Sequence, residues 1–444
     1  MSMLSGSYDV AVRALRWASP PLVRGSSKLA RGLRGRSRAL ELLQTWAGVG
    51  RDRSRPLIWM HAPSVGEGLQ AKVVFEELRH ERPSVQSVYT FFSPSAEALA
   101  AGLPVDVSTY LPWDVCSDLR SIVSRLSPGL VSFTKTEVWP GLTRAASEEG
   151  IPVILCAATL SRGAGRLRPG ARRFLTPTFS ALSKILAISE DDGERFVQLG
   201  VSRDRIEVTG DPGVDSAWRR ARTADPQASY LLPFLADPRP TLVAGSTWPS
   251  DEVLLIPVLQ ELAGRFPGLR SIIAPHEPSL AHLDRLEQRA RAAGLSTLRL
   301  AEVEGTGWDG GADLVLVDRV GVLAHLYTVG SFAYVGGGFR HAGLHSVLEP
   351  AAAALPVLFG LRHRGFGAAQ DLLERNGGQR VTGGRDLAAA LQRWLEDEGL
   401  RVEIGKNAQG YVELHRGAAE RTARAMAGFL PTEALEIEPT LDGS

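Results

Sequence analysis

Five stretches carry residues whose types and spacing suit chemistry on a charged, hydroxyl-rich ligand. The first, residues 61–67, reads HAPSVGE between the apolar run LIWM and a segment with helical spacing. Glu67 admits two roles there. Ser64-x-x-Glu67 is a capping-box pattern, in which the two side chains satisfy backbone N–H groups at a helix start. A carboxylate at the same place can also take a proton from an attacking hydroxyl. The second stretch, LVSFTKTEVWPGL at 130–142, ends an apolar run with Lys135 and Glu137. Two residues apart in an extended segment, they point the same way. With Glu67 they would set a base, a cation and a second carboxylate on one cleft wall. The plainer reading is a surface ion pair of little energetic weight.

The other three stretches suit an anionic ligand. VAGSTWPSDE at 243–252 is a strand running into Gly245-Ser246-Thr247 and a helix, where hydroxyls and N-terminal N–H groups can hold an anion; a simple N-cap by Ser246 or Thr247 is the alternative. IIAPHEPSL at 272–280 ends a strand in Pro275-His276-Glu277-Pro278, a stiffened loop that presents a histidine to a phosphate or base, or merely to solvent. The stretch from 334 to 360 runs from a strand through Gly336-Gly337-Gly338 to His345-Ser346-Val347-Leu348-Glu349, expected to open a helix. Glycines let the backbone approach a bulky ligand, the helix start favours phosphate, and Glu349 can accept from ribose hydroxyls. This points to a nucleotide or nucleotide-sugar site. There is no GxxxxGK[ST] loop, and no GxGxxG follows the first strand, so ATP hydrolysis and dinucleotide binding are not expected.

The elements that must position these residues alternate. LIWMH, VQSVYTF, GLVSF, PVILCA and KILAI read as strands separated by helices, and the pattern resumes with TLVAG, LRSIIA, ADLVLV, SFAYVGG and LPVLFG. Such alternation predicts α/β domains with parallel sheets covered on both faces. A chain of 444 residues suits two of them. The expected divisions are a basic arm over 1–50, a first domain over 51–215, a Pro- and Arg-rich linker over 216–237, a second domain over 238–428 and an acidic mobile tail over 429–444. A net charge of +1 gives no general case for nucleic acid, and two cysteines exclude a disulfide framework or a cysteine-rich metal site. No apolar run is long enough to span a bilayer. Between residues 10 and 40, however, Arg13, Arg16, Arg24, Lys28, Arg31, Arg34, Arg36 and Arg38 occur without an acid, mixed with Trp17 and several leucines. That composition fits a solvated arm or a peripheral contact with an anionic bilayer.

In order and separation, HAPSVGE, TKTEVWPGL, VAGSTWPSDE, APHEP, YVGGGF and HSVLEPAAAALPVLFGLRHRGF resemble the 3-deoxy-D-manno-octulosonic acid (Kdo) transferase family, from about Pro56 to about Gly378. The resemblance implies a GT-B fold: two Rossmann-like, doubly wound domains facing a central cleft, the first taking the acceptor and the second the sugar nucleotide. It implies inverting transfer of Kdo from CMP-Kdo to a lipid A precursor, with neither metal nor cofactor. It places Glu67 as general base and Glu137 in the same reaction centre, and it assigns CMP contacts to Pro275, His276, Gly321, Ser346, Val347, Leu348 and Glu349.

This chain departs from the family pattern in several places. Lys135 stands where a glutamate is common, Glu277 lies within a commoner Arg-His-Pro, Ser346 replaces an asparagine, and Val322 follows Gly321 in place of a glutamate. Gly213 stands where the family carries a cation, so Lys135 or a nearby arginine would have to replace it, or activity is altered. The usual N-terminal anchor is missing, which would leave the basic residues of 10–40 to hold the cytoplasmic face of the inner membrane. Another GT-B enzyme with a different nucleotide sugar, and an altered paralogue that binds glycolipid or nucleotide, are the competing readings. Oligomeric state is not legible.

Overall fold

Two all-parallel sheets organise the chain. The computed structural model describes residues 3–19, 25, 27–306, 311–340, 343–363 and 365–431. The described residues fall into two units: those up to Pro212 together with those from Gly417 onward, and Gly213–Arg416.

In the first unit the strands are β1 (Leu57–His61), β2 (Gln86–Phe91), β3 (Val107–Tyr110), β4 (Leu130–Thr134), β5 (Val153–Ala158), β6 (Lys184–Ala187) and β7 (Ile206–Val208). Their spatial order is β3-β2-β1-β4-β5-β6-β7. In the second they are β8 (Thr241–Thr247), β9 (Arg270–Pro275), β10 (Thr297–Arg299), β11 (Leu314–Leu316), β12 (Phe332–Val335), β13 (Val357–Phe359) and β14 (Gly378–Arg380), in the order β10-β11-β9-β8-β12-β13-β14. Central strands are buried along their length and read as near-continuous apolar runs, as a sheet covered on both faces requires. This is the doubly wound arrangement of the GT-B type.

The boundaries differ from expectation in three places, each for a packing reason. Residues 28–49 are not an arm. They form helix α2 (Lys28–Val49), capped by the Ser27 side chain and buried through Ala30, Arg36, Ala39 and Leu43. Leu43 joins the core with Leu57 and Trp59. Ahead of it lies α1 (Met3–Ala18), held to the same unit by polar contacts: Arg13 donates to Ser117 at 2.8 Å and Arg16 pairs with Asp118 at 2.6 Å. Leu22, Val23 and Arg24 lie outside the described residues, as does the expected acidic tail from residue 432.

Residues 216–237 are not a free linker. In the Pro212–Arg222 helix, Val214 and Ala217 pack with Val347, Leu348 and Tyr411, and farther on Leu231 and Phe234 pack beneath Val243, Ile272 and Ala333. The closing helix, Ala418–Ala427, belongs to the first unit rather than the second. Its Ala419, Ala423 and Met426 face Phe75 and Leu78 of α3 (Val65–Glu81).

Close approach of α2 to the first sheet depends on Gly35, where an added Cβ would sit 2.2 Å from the buried Tyr110 ring. Gly48, on the same helix, has nothing within 4 Å. Gly35→Ala is therefore expected to destabilise the first unit by about 1–3 kcal/mol through overpacking. Gly48→Ala should stabilise by roughly 0.5–1 kcal/mol through helix propensity. Urea denaturation of the two variants checks the contrast; equal effects would contradict the packing assigned to α2.

Candidate active site

In a doubly wound sheet, ligands collect at the carboxyl ends of the strands where the winding reverses. In the first sheet that place lies between β1 and β4, which are direct parallel neighbours with Met60 opposite Ser132 and His61 opposite Phe133. The chain after β1 leads to Glu67, and the chain after β4 leads to Lys135 and Glu137.

Glu67 lies in the first turn of α3. Ser64 has extended N-cap geometry, but its side chain accepts no hydrogen bond from the helix. Its hydroxyl donates instead to Glu67 Oε2. The pair is thus turned toward the carboxylate, and the expected reciprocal capping box is not formed. Lys135 Nζ lies 3.1 Å from the other oxygen, Oε1, and the Glu67 side chain is 17% exposed. Burial raises the Glu67 pKa. The Lys135 charge and the hydrogen bonds from Ser64 and the backbone outweigh that, leaving the carboxyl below its ordinary value. Lys135 adopts a left-handed backbone at φ 57°, and its N–H donates to Cys156 O at 2.9 Å. For a non-glycine residue this conformation costs about 1–3 kcal/mol.

Glu137 is not joined to this pair by any hydrogen bond or ion pair among the described residues. It is 42% exposed and faces Arg166 at 3.9 Å. The structure therefore brings together two of the three expected groups.

Around them is a cluster that the sequence did not announce. Trp139 Nε1 donates to His61 Nε2 at 3.1 Å, so the His61 proton resides on Nδ1, facing Thr90 Oγ1 at 3.1 Å. His61 is fully buried, and burial, helped by the Arg36 charge, pushes its pKa down to about 3. Phe92 stacks on Trp139 at 5.6 Å. The Arg36 guanidinium lies over the Phe92, Trp113 and Trp139 rings at 4.9, 4.9 and 5.2 Å. His61 stood within a recognised motif but read only as a strand residue; nothing in the local sequence marks Arg36.

The second sheet repeats the arrangement. β8 and β12 are neighbours at its reversal, with Gly245 opposite Val335. Ser246 is left-handed at φ 52°. The glycines are required by close backbone approach: a Cβ on Gly336 would sit 2.3 Å from Ser246 O, and one on Gly338 2.5 Å from Gly360 N. The loop is anchored by Asp251, which is fully buried. It accepts from Gly337 N at 3.0 Å, Trp248 N at 2.9 Å and Tyr334 Oη at 2.8 Å. Trp248 Nε1 in turn donates to His345 Nε2 at 2.9 Å, and the His345 ring stacks on His276 at 4.3 Å. Arg340 covers the other partner, Trp248, at 3.6 Å. Burial, then the charges of His276 and Arg340, push the His345 pKa down to about 4.

The remaining expected donor residues divide. His276 and Glu277 are exposed beyond the buried Pro275, and Gly321 is an exposed bend at φ 95°. Ser346 is exposed and accepts from Leu348 N at 3.3 Å. Thr247, expected to hold an anion, is fully buried, and its hydroxyl donates to Glu252 at 3.0 Å. Val347 and Leu348 are core residues, so any ligand contact from them is made by backbone. The helix expected to open at His345 begins at Leu348 and runs only to Ala352. Glu349 pairs with Arg220 of the Pro212–Arg222 helix rather than standing free.

Known proteins match this chain over most of its length. Residues 37–216 match the family described as 3-deoxy-D-manno-octulosonic-acid transferase (kdotransferase). The 3-deoxy-D-manno-octulosonic acid transferase of Bordetella pertussis is 27% identical over 383 residues, covering 84% of this chain and 87% of that protein. The corresponding Haemophilus influenzae protein is 26% identical with the same coverage. The chain is similar to the Kdo transferases over most of its length. Among solved structures, a glycosyltransferase from Rickettsia africae superposes with a TM-score of 0.60 at 11% identity, covering 84% of this chain and 98% of that one. The UDP-GlcNAc 2-epimerase from Neisseria meningitidis gives 0.58 at 14%, covering 84% and 99%. These two likenesses establish the fold.

Asp251→Ala strips the acceptor from three donors and is expected to cost about 3 kcal/mol, since each buried unsatisfied group costs roughly 1–3 kcal/mol. Chemical denaturation checks it, and a change under 1 kcal/mol would contradict the anchoring role. NMR of the imidazoles should find His61 neutral and protonated at Nδ1 throughout the range above pH 5; titration near the ordinary histidine value would contradict the assigned hydrogen bonds.

Proposed function

We propose that this chain is a member of the Kdo transferase family and moves Kdo from CMP-Kdo to a lipid A precursor, inverting the anomeric centre without a metal, with Glu67 as general base. The observation that carries the reading is the mostly buried Glu67–Lys135 pair, at 3.1 Å, at the reversal point of the first sheet. An acceptor hydroxyl presented to the first unit gives its proton to Glu67 as its oxygen bonds to the anomeric carbon. The bond from that carbon to the CMP phosphate breaks, and CMP departs with the electron pair. The anomeric carbon carries a carboxylate and ring oxygen, so positive charge develops there. We assign Lys135 to the sugar carboxylate or an acceptor phosphate, and Glu137 to the developing charge, for which it turns away from Arg166. Donor contacts are assigned to the second unit: the glycine loop, Ser246, His276, Glu277, Gly321, His345 and Ser346.

A carboxyl held below its ordinary pKa is ionised at every physiological pH and is a weak base. It suits a transfer in which the proton leaves late, as the bond to an oxocarbenium-like carbon forms.

Among the described residues no helix is long and apolar enough to cross a membrane. The membrane contact is assigned to α1 and α2, where Val10, Leu15, Trp17 and Leu29 are exposed, Trp17 at 86%. Not all the basic residues counted there are free for lipid. Arg36 is buried under its rings and Arg16 is paired with Asp118. Arg13, Arg31 and Arg38 are exposed, although Arg13 also donates to Ser117 and Arg31 faces Glu97 at 3.8 Å.

Glu67→Gln is expected to lower CMP release from CMP-Kdo, with lipid A precursor present, by roughly 10²–10⁴-fold while CMP affinity is retained. Turnover near wild type would remove Glu67 from the mechanism. Chelation by EDTA should leave wild-type turnover unchanged, and restoration of lost activity by added Mg²⁺ would contradict the metal-free reading.

A further inference from the structure

The segment carrying Lys135 and Glu137 is only five residues long, 135–139, between the end of β4 and the start of the Pro140–Glu148 helix. The strand end is fixed by the sheet. What fixes the helix end is unusual: the N-cap residue, Trp139, contributes no side-chain cap bond, because an indole N–H can only donate, and it donates to His61. The cap comes instead from Asp114, a fully buried carboxylate distant in sequence. Its Oδ2 accepts from Gly141 N at 2.7 Å and its Oδ1 from Leu142 N at 2.8 Å. Gly141 is required for this, since a Cβ there would lie 2.5 Å from Asp114 O and 2.7 Å from Oδ1.

Among the described residues the same carboxylate has one further side-chain donor. The Tyr8 hydroxyl, from α1, donates to Oδ2 at 2.7 Å. A partner hydroxyl at this place shares the charge of a carboxylate that burial otherwise destabilises. It also fixes the rotation of the carboxylate, on which the geometry of both amide bonds depends.

We propose that Tyr8 is a positioning residue for the transfer: through Asp114 it sets the start of the Pro140–Glu148 helix, and so the placement of Lys135 against Glu67. α1 is then more than an attachment to the first unit. One side of it reaches the cap of the reaction loop, and Trp17 and Leu15 on the same helix are exposed to surroundings. This rests on the reading of Glu67 and Lys135 as the reacting pair.

The test uses the full chain with Tyr8→Phe, which keeps the ring and removes the hydroxyl, and Asp114→Asn, which replaces one acceptor by a donor facing an N–H. Tyr8→Phe is expected to lower kcat for CMP release about 3- to 10-fold, the loss of one hydrogen bond's worth of ordering, with KM for CMP-Kdo unchanged. Amide hydrogen exchange should quicken at Gly141 and Leu142 while the β8–β12 loops exchange as in wild type. Asp114→Asn should do both more strongly. Wild-type kcat in Tyr8→Phe, or wild-type exchange at Gly141 and Leu142, overturns the proposal. If the wild-type chain itself releases no CMP, the transfer reading fails separately, and the exchange arm still decides whether Tyr8 orders the cap.

Discussion

A carboxylate in the first turn of a helix and an ammonium on a loop stay 3.1 Å apart because β1 and β4 are parallel neighbours at the reversal of the sheet. The rest of the first unit serves that constraint. The chain leaving β1 turns at once into α3, which puts Glu67 in the first turn. The chain leaving β4 pays for a left-handed Lys135 and is held at its far end by the indole of Trp139 and the remote cap from Asp114. The buried, neutral His61 ties the two loops together without adding charge near Glu67. Its ring lies under Trp139, and its backbone carbonyl accepts from Thr134 at 3.2 Å.

The second unit solves a similar geometric problem with different chemistry. Its reversal point is lined by backbone rather than by an ion pair. Glycines permit the approach, and one buried carboxylate, Asp251, collects the backbone of the glycine loop, the start of the following helix and a tyrosine hydroxyl. A neutral His345 stacked on His276 offers a flat surface beside that loop. Buried carboxylates thus organise both halves. Neither Asp114 nor Asp251 lay in a position that composition could flag, although Asp251 stands three residues after Trp248, the spacing of an N-terminal cap.

Sequence patterning found every interior strand of both sheets and missed β3, β7, β10 and β14. Those four are the sheet edges. They are only three or four residues long, and residues such as Glu207, Val208 and Arg380 are exposed, so neither a sustained apolar run nor a clean alternation marks them. The same physical limit explains the misread N-terminus. α2 carries many arginines and looks solvated, yet its small residues, Ala30, Gly35 and Ala39, form the packed stripe. The motifs were legible because they sit at strand ends, where sequence order fixes place. The partners of those motifs were not, since Arg36, Asp114, Arg166 and Arg220 come from distant parts of the chain. The internal partners that folding gives Glu349 and Thr247 are likewise absent from the sequence pattern. The sequence also left Glu67 poised between cap and base, when the Ser64 hydroxyl and Lys135 both turn toward its carboxylate.

In the proposed transfer the ionised Glu67, held below its ordinary pKa by Lys135 and Ser64, is the group that accepts the proton. The direct measurement is the acid limb of the kcat–pH profile, in wild type and in Lys135→Met. With the base deprotonated in its active form, wild-type kcat should hold as pH falls through the ordinary glutamate range and drop only below it. Removing the Lys135 charge leaves burial less opposed, so the limb should move to higher pH in the variant. An acid limb that stays in the same place in both proteins would contradict the assignment of Glu67 as the base.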